Sequence, residues 1–138
     1  MRACGPVCCF ARPEPPIIPE SGDGSECGRG IIAAPVLLPV EVAGAVTRRT
    51  EDADQGERAA IDLASDSGVA PIGIDSRSAI ESASLASSLR LRGADAIYVA
   101  VAKRLGVPLI TWDAEQRERA ASEISVFTPA TAPGKTTA

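Results

Sequence analysis

The chain has 138 residues, 45% of them hydrophobic, enough for one domain with a single core. It contains no histidine, which excludes Ser–His–Asp and Cys–His catalysis, histidine-ligated zinc and a histidine general base. What remains is carboxylate chemistry with hard divalent cations, or no chemistry at all; the net charge of -4 argues against broad electrostatic capture of a polyanion.

Residues 1–30 differ in composition from the rest. They hold all the cysteines, Cys4, Cys8, Cys9 and Cys27, and the closely spaced Pro6, Pro13, Pro15, Pro16 and Pro19. The cysteines lack the paired C-x-x-C spacing of a zinc knuckle, so free thiols are expected. This segment has neither helical nor alternating period and is read as irregular and divergent, with Val7–Phe10 the one stretch able to make a short strand. Pro6, Arg12 and Pro13 break any signal-peptide apolar region, and no apolar run approaches the ~18 residues of a membrane span. The expectation is a cytoplasmic chain with no membrane contact.

From Ile31 the pattern becomes regular. Ile31–Ala34 reads as a short buried strand, and Pro39 suits the first position of the helix that follows. In that helix Leu38, Val42, Val46 and Arg49 keep helical spacing, and Glu41 falls in the first turn. A short helix is expected over Glu57–Ser65 and a strand over Val69–Ile74. Asp75 or Ser76 can cap the next helix, which runs to about Arg90 with a small-residue stripe of Ala79, Ala83 and Ala86. Gly93 is expected to end it and Ala94–Leu105 to form another, its core face being Ile97, Tyr98, Val101 and Leu105. Gly106 stops that helix. Val107–Thr111 is continuously apolar, as in a strand buried on both faces of a parallel sheet. A charged helix begins at Asp113, Ser125–Thr128 suits an edge strand, and 129–138 reads as a flexible tail. Alternating strands and helices argue for an α/β sandwich.

Glu41, Asp95 and Asp113 all stand near helix starts, and Asp113 also follows a strand. Sites in α/β sheets gather at such places. Two carboxylates at ~4 Å repel by roughly 4 kcal/mol at an effective dielectric of 20, and Mg²⁺ or Mn²⁺ would offset that. Each acid also fits a plain capping or dipole role, and Asp113 with Gln116 fits a capping box. Spacing alone leaves both readings open.

The segments IIAAPVLLPVEVAGAVTRR, LRGADAIYVAVAKRLG and VPLITWD resemble, in order, the successive segments of PIN-domain nucleases, including VapC-type toxins of bacterial toxin–antitoxin pairs. The resemblance covers residues 31–128. It implies an α/β, three-layer sandwich around a central, mostly parallel sheet, and a Mg²⁺- or Mn²⁺-dependent endoribonuclease acting as the toxin of such a pair. It further implies metal-ligand roles for Glu41 in PVEVAGAV, Asp95 in GADA and Asp113 in TWD, with Thr111 helping to position water or phosphate. The implied partners are an RNA substrate and a cognate antitoxin, and a homodimer is compatible with the resemblance.

The family begins with an apolar strand ending in an aspartate that supplies the first metal ligand. Here no aspartate precedes Asp23, which lies in a glycine-rich stretch. A shifted reading frame or misplaced start would account for the break, and so would genuine divergence. Impaired activity is therefore expected, and the alternative is a catalytically inactive PIN-like module that binds a protein. Tyr98 is expected in the core, and Trp112 is expected to cover the strand end more than to stack on a base. Arg90, Arg92, Lys103 and Arg104 read mainly as solvated helix faces.

Overall fold

Short strands alternate with helices in the computed structural model, which describes residues 8–10, 32–66 and 68–132. In chain order they are β1 (Cys8–Phe10), β2 (Ile32–Pro35), α1 (Leu38–Thr50), α2 (Ala53–Ala64), β3 (Val69–Ile72), α3 (Ser76–Leu89), α4 (Gly93–Leu105), β4 (Leu109–Ile110), α5 (Ala114–Ala120) and β5 (Val126–Phe127). The strands form one sheet in the order β3-β2-β1-β4-β5. This is an α/β fold.

The sheet is mixed, which corrects the expectation of a mostly parallel one. β2 runs parallel to β3, with Ala33 opposite Ala70, and β4 runs parallel to β5, with Leu109 opposite Val126. Between these pairs lies β1, antiparallel to both neighbours: Cys9 faces Ala33 on one side and Leu109 on the other. A parallel neighbour requires a crossover, usually a helix, whereas an antiparallel one does not. Within 1–30, then, Cys8–Phe10 is a strand at the centre of the sheet; the rest of the segment, like 133–138 of the tail, lies outside the described residues.

Element boundaries follow local chemistry. Pro39 is the second residue of α1, not the first, because the helix already starts at Leu38 after Leu37. α2 begins four residues before the expected Glu57, since the Asp52 side chain accepts from Gln55 N at 3.1 Å and caps it. Its early start brings Gly56 against α1: a Cβ there would lie 2.7 Å from Ala43 O and 2.1 Å from Thr47 Oγ1. Asp75 caps α3, as expected. That helix ends at Arg90, whose φ of 55° places it in the left-handed region, and Gly93 opens α4 instead of closing α3. Gly106, with φ of 64°, terminates α4 as its sequence position suggests.

The core centres on α4, which packs over β1, β2 and β4. Ala96, Tyr98, Val99, Val101 and Ala102 are buried together with Ala33, Leu38, Leu91 and Leu109. So much of α4 is covered that its buried residues exceed the expected face, while Leu105, near its C-terminal end, is 39% exposed. On α3 Ala86 packs against the core as expected, but the rest of the packed stripe is displaced from the expected alanines. Ala79 and Ala83 are exposed, and Ser78 and Ser82 are buried, Ser82 returning its hydroxyl to Ser78 O at 2.7 Å. A serine hydroxyl satisfied by its own helix can be buried at little cost.

Among the positive side chains read as solvated, Arg104 instead ties α4 to α3, donating to Ser78 Oγ at 2.5 Å. Lys103 pairs with Glu123, which follows α5 in the chain. No helix among the described residues is long and apolar enough to cross a membrane.

Candidate active site

Asp95 sits in the first turn of α4, where the unpaired N–H groups of the helix favour a negative charge. Its pKa is nevertheless raised above the ordinary carboxylate range. Burial is the main cause, followed by the negative charge of Asp113; Arg92 acts the other way, and Glu41 and Glu115 add to the rise. The helix dipole and one arginine are thus outweighed by desolvation and like charges. The three acids expected to meet, Glu41 on α1, Asp95 on α4 and Asp113 at the head of α5, are electrostatic neighbours across the fold.

Asp113 is held by the end of β4 and the start of α5. Thr111 Oγ1 accepts from Asp113 N at 3.0 Å, and Asp113 Oδ1 accepts from Gln116 N at 2.9 Å. The cap and the acidic cluster are therefore compatible uses of one residue, because a carboxylate has a second oxygen. Thr111 itself is buried, and its hydroxyl oxygen shapes the Thr111–Asp113 turn. Arg117 reinforces that turn from below, donating to Trp112 O at 2.8 Å and to Thr111 O at 3.3 Å.

Two connections in the site are invisible to periodicity. Tyr98, assigned to the core and indeed fully buried, donates its hydroxyl to Glu41 Oε2 at 2.6 Å and so joins α4 to α1. Gln116, 1% exposed, donates Nε2 to Asp95 O at 3.2 Å while its backbone caps on Asp113. Its Oε1 is buried without a hydrogen-bond partner. A polar residue three positions after a capping aspartate was the one available signal for Gln116. Trp112 departs from the expectation that it covers the strand end: it is 61% exposed.

The donor set suits a hard cation in chemistry, being all carboxylate oxygen with an unrelieved charge repulsion at Asp95. Among the described residues no three acid side chains lie close enough together to hold one ion. An apolar cavity lies elsewhere. It is an open apolar groove of about 670 Å³ between α1 and α2, lined by Val40, Ala43, Ala60, Ile61 and their neighbours, with no acid of the cluster in its wall.

No curated protein and no solved structure was found to match the chain. Residues 23–122 match the PIN domain family, a span that covers well over half of the chain and contains Glu41, Asp95, Asp113 and the turn that carries Asp113. The chain, an α/β fold, therefore belongs to the PIN domain family.

Proposed function

We propose that the protein is a Mg²⁺- or Mn²⁺-dependent endoribonuclease of low activity, the toxin of a VapC-type toxin–antitoxin pair. PIN domains generally use divalent metal ions, and family membership supports nuclease chemistry on RNA. The observation that carries the reading is the coupling of Asp95 to Asp113 and Glu41 from three separate elements. The proposal includes helices on both faces of the sheet in the family's three-layer manner, a cytoplasmic location and a cognate antitoxin. A homodimer is compatible with it.

In this reading Asp95 and Asp113 hold the ion, and Glu41 is the third acid. The bound ion supplies charge neutralisation and a water of lowered pKa. Thr111 and Gln116 hold Asp113, Gln116 also fixes the backbone at Asp95, and Tyr98 orients Glu41. No aspartate in the sequence before Asp23 stands where the family's first ligand would follow a strand, so ion placement is loosened and in-line attack is slowed more than binding.

The test is cleavage of single-stranded RNA with Mn²⁺, with and without chelator. Slow cleavage that disappears with chelator, Asp95→Asn or Asp113→Asn is expected. Cleavage indifferent to all three would reject the mechanism. The second reading, an inactive module that binds a protein partner, is favoured by one feature: Val40 and Ile61 are 72% and 56% exposed in the apolar α1–α2 groove. Absence of cleavage in every condition would support it.

A further inference from the structure

Trp112 stands between Thr111 and Asp113, its Cα ~3.8 Å from that of the candidate ligand, and its side chain is largely in solvent. An indole is among the largest apolar surfaces a residue can bury, so exposure to this degree forgoes substantial stabilisation. Its backbone is not loose. Arg117 holds the Trp112 carbonyl at 2.8 Å and the Thr111 carbonyl at 3.3 Å, and Thr111 Oγ1 holds the Asp113 N–H at 3.0 Å. The turn therefore presents an aromatic side chain from a fixed base, which lowers the ordering cost of contact.

The electrostatics of the surroundings indicate what such a surface would serve. Asp113, Glu41 and Glu115 act on Asp95 here with Arg92 opposing them, while Arg117 is engaged by the Thr111 and Trp112 carbonyls and Arg119 is paired with Glu115. A polyanion approaching this edge of a chain with net charge -4 finds little long-range attraction. An interaction that does not depend on positive charge therefore gains weight. Stacking of an unpaired base on an aromatic ring is such an interaction.

We propose that Trp112 is a stacking platform for an unpaired nucleobase of single-stranded RNA, next to the acidic cluster. The inference deepens the nuclease reading and rests on it for the nature of the substrate. Because a duplex keeps its bases stacked, this platform selects single strands. With few phosphate contacts, binding varies only shallowly with salt.

Trp112 is the chain's single tryptophan, so its fluorescence reports this position alone. The experiment titrates the full chain in Mg²⁺ with a short labelled single-stranded RNA, reading RNA anisotropy and tryptophan emission together. A duplex of equal length serves as competitor, and Trp112→Ala and Trp112→Phe as variants; circular dichroism checks that both fold. Expected are quenching that saturates with the anisotropy change, weak competition by duplex, and a loss of roughly ten-fold or more in affinity for Trp112→Ala, partly recovered in Trp112→Phe.

Unchanged affinity in Trp112→Ala, or saturated binding without an emission change, would overturn the proposal. So would an emission response to a basic peptide and none to RNA, which would make Trp112 a protein contact. Cleavage kinetics separate the two readings. Metal-dependent cleavage with KM unchanged in Trp112→Ala sinks the platform and leaves the nuclease. Quenching by RNA without any cleavage sinks the nuclease and leaves the platform. Failure to bind any RNA rejects both.

Discussion

Tyr98 and Glu41 are 57 positions apart in the chain, and a 2.6 Å hydrogen bond from the buried tyrosine to the glutamate joins them. The phenol ring belongs to the core, while its hydroxyl reaches the acidic cluster. One side chain thus couples packing to the orientation of an acid.

Tyr98→Phe keeps the ring and removes the hydroxyl. A hydrogen bond to a charged acceptor contributes about 1.5–3 kcal/mol, and the partly exposed Glu41 regains water when the bond is lost, so a stability loss of about 1–2 kcal/mol is expected. Mn²⁺ affinity should fall as well. Thermal denaturation and metal titration measure the two effects, and an unchanged melting temperature would show that the bond contributes nothing net.

Asp95→Asn should stabilise the metal-free protein at neutral pH. The folded pKa of Asp95 is raised, so between the ordinary carboxylate pKa and the raised value the folded state binds more protons than the unfolded chain. Stability therefore falls as pH rises through that window and stays lower above it. Asparagine removes the charge, so its advantage is present at neutral pH, shrinks as pH falls through that window and is gone below the ordinary carboxylate pKa. Melting temperatures of both proteins from acid to neutral pH, in chelator, test this; a destabilised variant at neutral pH would contradict it.

Gln116→Met sets two effects against each other. It removes the hydrogen bond to Asp95 O and also removes a buried acceptor that has no partner. Losing a bond and relieving an unsatisfied group are of similar size, so net stability should change by no more than about 1 kcal/mol. Metal affinity should drop more clearly, because the tie between the Asp95 and Asp113 segments is cut. Denaturant melts and Mn²⁺ titration together distinguish this from a purely structural role.

Gly56→Ala should destabilise although alanine is the better helix former. The added Cβ would lie 2.7 Å from a backbone carbonyl, which cannot step aside without separating α1 from α2. Overpacking of this kind costs about 1–3 kcal/mol, against ~1 kcal/mol gained in propensity. Urea denaturation gives the balance, and a more stable variant would mean the two helices separate easily.

Much of the order of elements was legible from residue 31 onward. Gly106, Asp75 and the apolar stretch leading to Asp113 act through local backbone chemistry, and local chemistry is written in consecutive residues. Charge supplied the rest: without histidine, acids at helix starts were the available chemistry, and Asp95 does have Asp113 and Glu41 as charge neighbours.

Tertiary structure decided the direction of β1, the burial of Ser78 and Ser82 in place of alanines, and the exposure of Trp112. It also decided that Tyr98 and Gln116 serve the acids. Strand direction depends on which partner edge is open and on the connection that reaches it. Burial depends on what packs above a side chain. Hydrogen bonds across 57 or 21 residues arise only when separate elements are brought together, so no window of sequence contains them.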